Sequence, residues 1–209
     1  MLRYSVRVLP VPTLLAGALG AATLLGLVHL RPAQLLQAAG LAVAAVGATA
    51  SRLFDEPAAA LVDTLPRPLR WRTVARLLPT GLLALLWVIG ASVVDTQGVG
   101  RPDVLRLQGV GTILAAAAVT TVLRRRGQPV PGLAVASTIL LVTTFLVLLN
   151  PFDRFLPFFP YGPSGDWAAS RWLWAVIVAV AAAALATSCL EGIRWRFTGH
   201  PSVHPNTRG

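Results

Sequence analysis

Three histidines, one cysteine and eight carboxylates are the whole stock of acid–base and metal-ligating side chains in this 209-residue chain. Their spacing serves chemistry poorly. His200 and His204 stand four apart, which on a helix would place both imidazoles on one face. Pro201 and Pro205 interrupt that helix, so the pair is not read as a metal site. His29 is the one ionisable group within a long apolar run, and its place at the end of the run reads as interfacial rather than as a proton relay. Cys189 has no disulfide partner and reads as a packing residue. No run holds paired carboxylates, no Ser–His or Cys–His constellation is suggested, and no phosphate-binding glycine loop follows a strand. The reading is a non-enzyme that needs no cofactor and no metal.

Carboxylates gather in one place. Asp55-Glu56-Pro57, followed by an apolar-rich 58–65, carries the signature of a helix start: acidic residues in the first turn and proline at the first helical position. Leu61, Val62 and Leu65 fall on one face of this short helix with Asp63 opposite, and Pro66 and Pro68 end it. Two readings fit Asp55, Glu56 and Asp63. They form either a solvated face neutralised by nearby arginines or a docking surface for a partner.

What must position this segment is a set of apolar helices. Six stretches, 11–30, 32–51, 77–94, 107–123, 127–152 and 172–190, contain no Asp, Glu, Lys or Arg. Each approaches or exceeds the roughly 20 residues that cross a hydrocarbon core about 30 Å thick. Mean hydropathy is +0.68, and 55% of residues are hydrophobic against 12% charged. The expected fold is therefore an all-α integral membrane protein of one polytopic domain, residues 1–209, with spans near 11–30, 32–51, 77–94, 107–123, 130–150 and 172–190. The first run is too long for the apolar part of a signal peptide and is read as a retained helix. Residues 197–209 read as a flexible tail.

All 18 basic residues are arginine, and the formal charge is +10. That usage, with abundant Ala, Gly and Pro, looks like GC-rich bacterial coding and so suggests a bacterial plasma membrane. With six spans, thirteen arginines fall on one side and five on the other, and the positive-inside rule places both termini in the cytoplasm. The basic clusters are assigned to orientation and to anionic lipid headgroups, not to nucleic acid. Arg31-Pro32 alone joins the first two spans in a tight outer hairpin. Pro79 lies in the first turn of the third helix if that helix begins at Leu77, and in its interior if it begins earlier. Between the fifth and sixth spans, Phe152, Phe155, Phe158, Phe159, Tyr161 and Trp167 make an outer segment too aromatic to stand in water. It is expected at the interface or re-entering the membrane under the protection of the bundle. Gln34, Gln37 and Gln108 are the strongest polar groups inside the spans. Gly17, Gly20, Gly40, Gly47 and the run 115–118 supply small packing surfaces.

This arrangement resembles the membrane subunit of the type-2 ABC exporter class. Shared features are a basic N-terminal segment, six helices, a short cytoplasmic helix between the second and third, and a large aromatic outer segment between the fifth and sixth. The stretch Arg52-Leu53-Phe54-Asp55-Glu56-Pro57-Ala58-Ala59-Ala60, continuing to Leu65-Pro66-Arg67-Pro68, is also similar to membrane proteins of GC-rich Gram-positive bacteria thought to accompany ABC ATPases. The resemblance implies a homo- or hetero-dimer of membrane subunits and a separate P-loop ATPase. That ATPase would dock on Asp55, Glu56, Pro57, Leu61 and Asp63. The other reading is a non-transporting membrane scaffold or accessory protein.

Overall fold

The computed structural model describes residues 10–55, 69–94, 101–149, 156–160 and 165–194. These form six helices: α1 (Val11–Leu30), α2 (Pro32–Leu53), α3 (Leu69–Val93), α4 (Pro102–Arg125), α5 (Gly132–Leu149) and α6 (Trp167–Arg194). Among the described residues there is no strand. Five helices are long and apolar enough to cross a membrane: α1, α3 over Val74–Val93, α4, α5 and α6 over Trp167–Cys189. Their outward faces stay apolar, with Leu19 66%, Leu141 72% and Trp172 75% exposed. Side chains of this kind lining the exterior of several helices suit hydrocarbon as the surrounding solvent.

Two helices form the interior. From Ala39 to Phe54, α2 presents hardly a side chain outward except Arg52, and it packs against α1, α3, α4 and α5. Packed against α2, α3, α5 and α6, α4 is the other central helix. Small residues make this closeness feasible. A Cβ on Gly47 would collide with the Thr112 methyl of α4 and press on Ile139 of α5, so glycine lets three helices meet at one level. Val43, Val46, Leu83, Ile113 and Val147 fill the space around it and are all but inaccessible.

Turns between helices are short where the chain says so. Arg31 alone separates α1 from α2, its N–H bonded to the Leu27 carbonyl at 3.2 Å. After α4 the chain turns at Gly127, whose φ of +91° favours glycine. Gly127 N–H reaches the Arg124 carbonyl at 3.0 Å and Gln128 N–H the Leu123 carbonyl at 3.1 Å, the pair of bonds that closes a helix C-terminus around a left-handed residue.

Helices outrun the charge-free stretches that announce them. Leu69 begins α3, so Pro79 lies inside it and leaves the Ala75 carbonyl without its usual intrahelical donor. Asp103 and Arg106 fall in the first turns of α4, and Arg171 in α6. Charge-free length measures hydrocarbon thickness, while the backbone stays helical through the interface beyond it. There Asp103 and Arg171 pair at 2.6 Å, tying α4 to α6. Asp166 caps α6, its Oδ1 accepting the Ala169 N–H at 3.0 Å. The short helix expected over 58–65, the N-terminal segment 1–9 and the tail 197–209 lie outside the described residues.

Candidate functional site

Two places combine polar or open geometry with helix junctions, one at the C-terminal end of α4 and one along its length. The first lies where α2 ends. The last carbonyls of a helix have no intrahelical donor, and here arginines from neighbouring helices supply them. Arg76 of α3, 7% exposed, donates through Nη1 to the Leu53 carbonyl and, at 2.9 Å, to the Asp55 carbonyl. Arg124 of α4 donates to the Phe54 carbonyl at 3.0 Å. Arg125 reaches the Ser188 carbonyl of α6. Of the arginines in the basic clusters, Arg76 and Arg124 thus also bind backbone where α2 ends, while Arg125 stays exposed beside α6.

Asp55 completes this knot. Its side chain is 9% exposed and bonds Arg52 at 3.0 Å through Oδ2. Through Oδ1 it accepts the Gly132 N–H at 2.7 Å, capping the first turn of α5 from another helix. Gly132 is needed for this approach, because a Cβ there would fall onto the carboxylate. Of the five expected docking residues, the structure thus places Asp55 as an internal brace. Glu56, Pro57, Leu61 and Asp63 lie outside the described residues. His29 stands exposed at the end of α1, and Cys189 is a half-buried free thiol. Among the described residues no cluster of His, Cys, Asp or Glu has the grouping to hold a metal ion.

The second place is a lateral trough. Both α5 and α6 pack on α4, but among the described residues not on each other. The space between them is floored by Ala115, Val119 and Leu123 of α4. One part, about 550 Å³, is walled by α5 through Val135, Ile139 and Val142. A second part, about 510 Å³, lies against Ile177, Val180 and Ala184 of α6 and shares the same floor. Its threonines add little polarity, since Thr112 and Thr138 donate their hydroxyls to the Gln108 and Ala134 carbonyls at 2.8 and 2.9 Å, turning a satisfied group toward the helix.

Phe158 and Phe159 close one end of the trough. Three donors converge on the Phe158 carbonyl: Trp174 Nε1 at 2.9 Å, Gln108 Nε2 at 3.0 Å and Ser170 Oγ at 3.4 Å. Both phenylalanine rings meet the Trp174 indole, at centroid distances of 6.3 and 5.9 Å. Phe159 is 5% exposed, so this piece of the aromatic segment packs on the bundle. Arg126 and Gln128 stand at the opposite end. Polar residues singled out in the sequence divide accordingly. Gln108 fixes the closed end, Gln37 is exposed, and the side chain of Gln34 lies outside the described residues.

Compared with known protein families, with curated proteins and with solved structures, the chain matches none.

Proposed function

We propose that the protein is a membrane-spanning subunit of an ABC-type exporter, crossing the bilayer six times with both termini cytoplasmic and driven by a separate ATPase that acts on residues 56–68. The observation that supports this reading is the knot at the end of α2. A lever is useful only if its attachment points are stiff: Asp55 of the knot leads into 56–68, and the helix that follows, α3, carries Arg76 of the same knot. Asp55, the residue before the segment, is bonded to the start of α5, and its carbonyl and that of Leu53 are held by Arg76 of α3. A push on the segment would reach α3, α4 and α5 together, the kind of rigid-body coupling that a two-state bundle requires.

On this reading docking falls to Glu56, Pro57, Leu61 and Asp63, while Asp55 braces the bundle. The test is affinity purification of the tagged protein in mild detergent, with co-eluting chains identified by mass spectrometry. A stoichiometric P-loop ATPase is expected, lost in Glu56→Arg/Asp63→Arg while the membrane subunit keeps its elution profile. Recovery of no ATPase, under conditions that preserve such complexes, would overturn the reading in favour of a non-transporting scaffold.

A further inference from the structure

We infer that the trough over α4 holds one acyl chain of an anionic bilayer phospholipid, with the lipid phosphate against Arg126. The inference stands apart from the exporter reading, since it rests on the trough and its mouth alone. Three observations carry it.

Size comes first. The larger of the two parts measures about 550 Å³. At roughly 30 Å³ for a water-sized group such as a methylene, it admits about 18 of them, the bulk of a single fatty chain. A transmembrane helix of about 10 Å diameter running the same length would occupy roughly 1,600 Å³. Length comes second. From Thr112 to Arg126 the floor of α4 rises roughly 21 Å at 1.5 Å per residue, somewhat more than one leaflet of a hydrocarbon core about 30 Å thick. Phe158, Phe159 and Trp174 close it at the far end, where a chain terminus would stop.

Charge is the third. Of the three consecutive arginines at the open end, Arg124 and Arg125 are turned onto the Phe54 and Ser188 carbonyls. Arg126 is exposed, borders the trough and makes no ion pair among the described residues. An apolar slot with a guanidinium at its mouth matches a molecule that is apolar along its length and anionic at one end.

The test uses the delipidated full-length protein in detergent, titrated with phosphatidylglycerol or phosphatidylcholine and read by native mass spectrometry. One phosphatidylglycerol per chain is expected to persist, in preference to phosphatidylcholine. Val119 is 48% exposed on the trough floor, so Val119→Trp fills the slot without displacing a core residue and should abolish retention. Leu141→Trp, on an outward face of α5, should leave it unchanged. Arg126→Glu, at an exposed position that does not threaten the fold, should weaken phosphatidylglycerol about tenfold and leave phosphatidylcholine unaffected. Equal retention of the two lipids by the wild-type chain would overturn the inference, as would equal behaviour of Val119→Trp and Leu141→Trp. So would a Val119→Trp chain that converts a dimer to monomers, which would assign the trough to a second copy.

Discussion

Replacing Asp55 by alanine removes the acceptor for the Gly132 N–H and the partner of Arg52 at once. A buried donor left without its acceptor costs about 1–3 kcal/mol. The Arg52 pair adds less than about 1 kcal/mol, because Arg52 is 44% exposed and its pairing is screened. Together they come to about 1–4 kcal/mol. At roughly 2–4 °C per kcal/mol for a chain of this size, the midpoint should fall by about 2–16 °C. The assay is retention of a monodisperse size-exclusion peak after heating in detergent. Gly132→Ala alone should also destabilise, by about 1–3 kcal/mol, because its methyl meets the Asp55 carboxylate. In the Asp55→Ala background that collision is gone, and alanine is the better helix former by up to about 1 kcal/mol. The second substitution should then cost nothing. If the two losses simply add, the carboxylate and Gly132 share no contact and the brace does not exist.

Other substitutions separate buried from exposed polar groups. Arg76→Met strips the Leu53 and Asp55 carbonyls of their donor and should cost about 3 kcal/mol, read as a similar fall in midpoint. Asp103→Asn breaks an ion pair whose partners are nearly half exposed, and its midpoint should move by less than about 4 °C. Trp174→Phe keeps a ring against Phe158 and Phe159 but loses the indole N–H, leaving Gln108 and Ser170 on the same carbonyl. It should cost about 1 kcal/mol, and the double variant with Gln108→Leu should cost more than the sum of the two. Gly47→Leu forces α2 from α4 and α5 and should abolish the folded peak, whereas Leu141→Ala, at an outward position, should leave it in place.

The helices were legible because long charge-free stretches announce them, and five of the six are apolar and long enough to cross a membrane. Their ends were not. Asp103, Arg106 and Arg171 stand on helical backbone beyond the apolar boundary, and a rule based on charge stops short of them. Asp166 carried a readable signal, an aspartate just before a helical run, yet cap and helix start are recognised together or not at all. Arg76, Arg124 and Arg125 look like headgroup ligands by position along the chain. Arg76 and Arg124 turn inward because the carbonyls at the end of α2 need donors, and only assembly shows which arginine is nearest. The trough is less legible still, since it arises from two helices that, among the described residues, do not pack on each other. Its one trace in the sequence is the alanine run 115–118, whose small side chains leave the floor of the space low.

The bond from Asp55 to Gly132 spans 77 residues of chain. At synthesis rates of about 5–20 residues per second, Asp55 leaves the ribosome roughly 4–15 s before its partner does. Throughout that interval α1 and α2 are made and α5 is not, so the carboxylate waits without its Gly132 partner. The start of α5 is thus fastened to a post set earlier, and assembly of the bundle acquires an order in time as well as in space.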